Sequence, residues 1–190
     1  STIKNHDAPN GAAVYVATAN DFDVKNSTFT DNKATANGAG IYINAGNGAD
    51  IDNSTFINND ATSGNGGAIY WGATNNFITA NSTFRDNDAR SGSTIYFANP
   101  ISSISISGSE FNNNKVTSST GGALNVPSSV TSLTISGSTL EDNAASSNGA
   151  GIYIPSSSMT VDISDSNFIN NDYANGISRS EERRVGKECR

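Results

Sequence analysis

Proton abstraction from an acidic sugar needs a base beside carboxylates that can hold a cation, and one cluster in this chain has those residue types. Arg85 and Arg90 lie close to Asp86 and Asp88, with Asp60 one repeat earlier. Hydrolysis of a glycosidic bond would instead need two or three carboxylates converging at a defined separation. The Asp-rich slot alternates around the helix instead of converging, so the spacing supports solvated surface charge. His6 has no His or Cys partner in residues 1–178, which argues against a metal site. Gly46-Asn47-Gly48-Ala49-Asp50-Ile51-Asp52 has the look of a calcium-binding nonapeptide. Such a motif needs tandem copies, and Asp52 stands where it requires a bulky apolar residue. No catalytic residue, metal or cofactor is expected.

These side chains hang on a repeat. Phe56-Ile57-Asn58-Asn59 is an F-x-x-N tetrad that returns with leads at Phe29, Phe84, Phe111 and Phe168, and with leucine at Leu140; successive leads are 27, 28, 27, 29 and 28 residues apart. A period in the twenties marks a solenoid in which one repeat is one coil. Each coil carries three apolar stations. The first is a pair spaced by two: Val14/Val16, Ile41/Ile43, Ile69/Trp71, Ile95/Phe97, Leu124/Val126 and Ile152/Ile154. The second lies seven and five residues before the tetrad, as in Ala49/Ile51 and Ile104/Ile106, and the third is the tetrad lead itself. Spacing by two puts both members of a pair on one face of a strand. Ile51 and Phe56 both point inward although five apart, so a bend must fall within Asp52-Asn53-Ser54, and the same parity break places another between Phe56 and Asn59. The expectation is an all-β, right-handed, single-stranded parallel β-helix of about six coils of 27–29 residues, with three short strands and three bends per coil. Pro100, Pro127 and Pro155 are expected to close the first strand of the later coils.

Stacked coils place equivalent residues about 4.8 Å apart, which turns each slot into a column. Asn32, Asn59, Asn87, Asn114, Asn143 and Asn171 form one column, expected to be a structural ladder of amides. The slot before it alternates as Asp31, Asn58, Asp86, Asn113, Asp142 and Asn170, which spaces like charges two rungs apart. Between the inward pairs of the first station stand Tyr15, Tyr42, Tyr70, Tyr96, Asn125 and Tyr153. The polar Asn125 marks this slot as outward. The five tyrosines either protect the sheet by stacking or present a strip that binds a glycan or a surface protein. The sequons Asn26-Ser27-Thr28, Asn53-Ser54-Thr55 and Asn81-Ser82-Thr83 stack in successive coils, a pattern that glycosylation or descent from one ancestral bend would explain equally.

Residues 1–178 hold six basic and fifteen acidic side chains, a net charge of −9, which repels nucleic acid and anionic lipid. No apolar run is long enough to insert in a membrane. Residues 179–190, Arg-Ser-Glu-Glu-Arg-Arg-Val-Gly-Lys-Glu-Cys-Arg, break every preceding pattern. They resemble the translation of a sequencing-library adapter and are read as a non-native tail following a β-helix fragment at 1–178. The coils at Ser1 and at Asn171 lack capping elements, so end-to-end self-association is expected.

F-x-x-N alternating with G-G-A-[ILV] resembles the repeat signature of the chlamydial polymorphic membrane proteins, and of adhesin-like surface proteins of gut methanogens and bacteria. Gly66–Ile69 and Gly121–Leu124 match the glycine motif strictly; the segments starting at Gly11, Gly38, Gly92 and Gly149 are degenerate. The resemblance spans essentially residues 1–178. It implies a secreted, non-catalytic β-helical module for adhesion or spacing, extracellular or at the cell surface, with glycans or surface proteins as partners. The competing expectation is a fragment of a carbohydrate-active β-helix enzyme, a polysaccharide lyase or glycoside hydrolase, whose catalytic elements lie elsewhere.

Overall fold

A computed structural model describes residues 1–92, 94–126, 129–155, 159–173 and 183–185. The chain winds as a right-handed parallel β-helix of about six coils, all β. One coil shows the plan: strands Ile41–Ile43, Gly46–Asp52, Thr55–Ile57 and Asp60–Ala61 follow one another around the axis. Each pairs in parallel with its counterparts above and below, giving, in the order of that coil, sheets of six, six, eight and seven strands, the eighth strand of the third sheet being antiparallel. We call these, in the order of that coil, the Tyr sheet, the long sheet, the Phe sheet and the Ala sheet.

The Ala sheet corrects the expectation of three strands per coil. Its strands are mostly two residues long, too short to display a periodicity. Five of the seven bury one small side chain two residues after the ladder asparagine: Ala34, Ala61, Ala89, Val116 and Ala145.

The in/out assignments follow from strand alternation. Ile41, Ile43, Ile69, Trp71, Ile95, Phe97, Leu124 and Val126 are buried, as are the long-sheet pairs from Ala49/Ile51 to Leu133/Ile135. Val161, in the last coil, is 43% exposed. The Phe sheet holds Phe29, Phe56, Phe84, Phe111, Leu140 and Phe168 in one register. The rings of Phe29, Phe56, Phe84 and Phe111 stack at centroid distances of 4.7, 5.0 and 4.7 Å, within 10° of parallel. Trp71 and Phe97 close on Phe77 edge-on across the interior.

Both predicted bends exist, and both are left-handed turns of the backbone. Asn26, Asn53, Asn81 and Asp165 hold the first with positive φ, and Gly108 and Gly137 hold it where the coil uses glycine. The second is held by Asp31, Asn58, Asp86, Asn113, Asp142 and Asn170, with φ from 48° to 56°. Asn and Asp are the non-glycine residues that tolerate this region best, which confines the slot to those two types. Their alternation also pairs donors with acceptors: Asn58 Nδ2 donates to Asp31 Oδ1 and Asn113 Nδ2 to Asp86 Oδ1, both at 2.6 Å.

Pro100 and Pro155 lie just beyond the Tyr-sheet strands Ile95–Phe97 and Ile152–Tyr153; Pro127 lies outside the described residues. Of the terminal segment, Arg183–Val185 pairs antiparallel with Ser166–Ile169, the one antiparallel pairing among the described strands. The rest of residues 179–190 lies outside the described residues.

Candidate functional site

The tyrosine slot is the middle residue of each Tyr-sheet strand, so the pleat that buries its neighbours turns it outward. Register aligns Tyr15, Tyr42, Tyr70, Tyr96, Asn125 and Tyr153 in one column. Tyr15 and Tyr42 stack at 5.1 Å and Tyr42 and Tyr70 at 4.6 Å, both nearly parallel; Tyr96 lies 5.5 Å from Tyr70, tilted by 33°. Tyr15 is 56% exposed, and the others are half-buried. The column runs along the glycine-rich corner, and the Tyr96 ring lies directly over Gly92, where any Cβ would strike its Cδ2.

This packing determines what the strip can contact. From Tyr15 to Tyr96 the facing ring surfaces are covered by the rings on adjacent rungs, so between these rungs edges and hydroxyls meet solvent. Burial raises the Tyr70 phenol above its usual range, with further contributions from Tyr42 and Tyr96; burial, then Tyr15, does the same for Tyr42. Both phenols therefore stay protonated and able to donate at neutral pH. Tyr42 OH reaches Asn44 Oδ1 at 3.4 Å.

The asparagine column lies inside the wall. Nδ2 of each donates to Oδ1 of the next, from Asn32 through Asn59, Asn87, Asn114 and Asn143 to Asn171, at 2.8, 2.9, 3.1, 2.8 and 2.9 Å. Each Nδ2 also serves a carbonyl of the preceding rung, as Asn87 does for Phe56 O at 2.9 Å. Those side chains are occupied within the fold. His6 takes the same slot in the first rung, where its backbone N–H donates to Asn32 Oδ1 at 3.2 Å.

A second column was not recognised from sequence. Ser54, Ser82, Ser109, Ser138 and Ser166 are buried, and each Oγ accepts the backbone N–H of the serine one rung before, starting from Ser27, at 3.1–3.2 Å. The Oγ in turn donates to the carbonyl two residues back, as in Ser54 to Asp52 at 2.9 Å. The signal was a serine two residues before every tetrad lead. It also accounts for the repeated Asn-Ser-Thr: the Asn turns the chain, the Ser joins the column, and the Thr begins the Phe-sheet strand. A third column, Asn10, Asn37 and Asn65, runs in the opposite sense: Asn65 Nδ2 donates to Asn37 Oδ1 and Asn37 Nδ2 to Asn10 Oδ1, each to the preceding rung.

The charged cluster is distributed over two walls. Arg85 ends a Phe-sheet strand and pairs with Asp86 (Nε–Oδ2 3.4 Å), while Asp60 and Asp88 start Ala-sheet strands on the far side of the bend. Asp60 and Asp88 are register neighbours, flanked in the same column by Lys33 and Lys115. Shielding by the adjoining rungs, then the Asp60 carboxylate, raises the Asp88 carboxyl above its usual range, against the pull of Lys115. Gly46–Asp52 is a strand of the long sheet, where Lys25 reaches Asp23 at 3.3 Å and Asp50 at 3.6 Å. Among the described residues no group of three or more His, Cys, Asp or Glu is placed to hold a metal ion, and no helix is long and apolar enough to cross a membrane.

A family model described as a right handed beta helix region matches residues 12–183. No curated protein and no solved structure matches the chain.

Proposed function

The chain belongs to the right-handed β-helix family, and on that premise we propose that it is a non-catalytic, surface-displayed adhesion module whose outward tyrosines contact a glycan or a surface protein. The observation that carries this reading is the column itself: four tyrosines held in register at 4.6–5.5 Å, partly exposed, on a wall whose other outward positions are small or polar. Such a strip costs little to order on binding, because the stack already fixes the rings. Its ligand meets ring edges and phenol hydroxyls, a surface suited to a chain of hydroxyl-bearing groups.

Two observations support the non-catalytic part. Arg85 is tied to Asp86, and the bend aspartates are constrained by backbone geometry rather than gathered around a cleft. The carbohydrate-active reading needs a base and carboxylates facing one substrate, and it enters as an outcome of the experiments below.

Tyr70→Ser tests the proposal by removing the central ring and leaving a small polar side chain, as Asn125 already does one column position away from Tyr96. Binding to a library of host and microbial glycans and to cell surfaces should fall about tenfold, close to 1.4 kcal/mol. The melting transition should move little, since each lost cross-strand pair is worth about 0.2–1 kcal/mol. Undiminished binding would remove the strip as the ligand site.

A further inference from the structure

The tyrosine column has one break, at Asn125, between Tyr96 and Tyr153. Asn125 does not continue the stack. Its Nδ2 turns to Thr120 in the glycine corner, reaching Oγ1 at 3.0 Å and the carbonyl at 3.4 Å. Tyr96 and Tyr153 therefore stand two rungs apart, about 9.6 Å, with no ring between them. A ring inserted there would lie about 4.8 Å from each. That is the separation the tyrosines keep among themselves, 4.6–5.5 Å. Here alone along the column, among the described residues, the register sets two tyrosines on either side of a rung that carries no ring. Both contacts with Thr120 use Nδ2, which leaves Asn125 Oδ1 to accept a hydrogen bond.

We propose that the Asn125 gap is a sugar slot: it takes a single pyranose ring of all-equatorial, β-gluco configuration between Tyr96 and Tyr153. The proposal rests on the strip reading above and assigns it a specific subsite. A chair pyranose with equatorial hydroxyls presents axial C–H groups on both faces, and these carry partial positive charge toward the negative faces of the two rings. The chair is thicker than a flat aromatic ring, which suits a two-rung gap. Its hydroxyls radiate in the ring plane, one toward Asn125 Oδ1 and the rest toward solvent, so none is buried without a partner. A galacto ring fails this geometry, because its axial hydroxyl would be pressed against one tyrosine and desolvated.

The test is an NMR titration with methyl β-glucoside and cellobiose, and with methyl β-galactoside as the control. The expected result is upfield ring-current shifts of sugar protons on both faces for the gluco ligands, and at least tenfold weaker binding of the galactoside. Asn125→Tyr fills the gap with the side chain found at this slot in the other coils. It should keep the fold, with an equal or higher melting temperature, and abolish the gluco binding. Tyr70→Ser should reduce the library binding. Gluco ligands that produce no shifts, that bind no better than the galactoside, or that bind Asn125→Tyr as tightly overturn the slot. Loss of library binding in Tyr70→Ser combined with cellobiose binding untouched by Asn125→Tyr keeps the strip and rejects the slot. The reverse pattern keeps the slot and rejects the strip.

Discussion

Asparagine carries this chain in two unlike ways, and only one is visible in its letters. The ladder column from Asn32 to Asn171 can be read from sequence because a buried amide repeating at every rung has an evident partner, the next copy of itself. The adjacent column, Asp31 to Asn170, looks like charge spacing because its letters alternate; its deeper constraint is a positive φ, and the parity break that locates the bend does not reveal that sign. Asn58→Ala should therefore cost about 1–2 kcal/mol, the penalty for forcing an alanine into the left-handed region, while Asn58→Gly should cost markedly less in the same denaturant melts. Equal losses would mean the Asn58 hydrogen bond to Asp31, and not the backbone, dominates. The Asp60–Asp88 pair makes a second prediction. Because folding raises the Asp88 carboxyl, first by shielding and then by Asp60, this group favours the fold when protonated. Its contribution is lost as pH climbs from the unfolded carboxylate range through the folded value. Asp88→Asn should stabilise the protein near neutral pH by about 0.2–1 kcal/mol, and the gain should vanish in acid. A destabilised variant at neutral pH would show that Lys115 outweighs Asp60.

The strands divide along the same line between what repetition reveals and what it hides. Tyr-sheet, long-sheet and Phe-sheet strands announce themselves because each has apolar residues at fixed offsets, and burial followed those offsets from Ile41 to Leu140. The Ala sheet was missed because two-residue strands with one small inward side chain resemble a polar turn. The serine column was missed because Ser54 and its equivalents sit inside an Asn-Ser-Thr triplet that invites a surface reading. The Phe wall makes the sharpest test at this scale. Phe84 is fully buried between Phe56 and Phe111, so Phe84→Ala should cost roughly 3–5 kcal/mol. Tyr96→Ala, on the outward side of its strand, should cost far less in urea melts. Similar midpoints for the two variants would contradict the assignment of faces.

At the scale of the molecule, the winding was legible and the activity was not, for a physical reason. A 27- to 29-residue period fixes which residues stack, and stacking fixes sheets, core and columns. Function depends on which outward columns meet a partner, and repetition fills every outward column whether or not it binds anything. The account therefore stands on the claim that the outer surface holds its ligand without transforming it. The measurement that reaches this claim most directly is one incubation of the protein with a glycan library that includes acidic polysaccharides, with and without calcium, read for both retained protein and cleaved glycan. The account predicts retention on a defined subset of glycans and no cleavage under either condition. Repeated turnover that disappears in Arg85→Ala would contradict it and make the Arg85 cluster an active site.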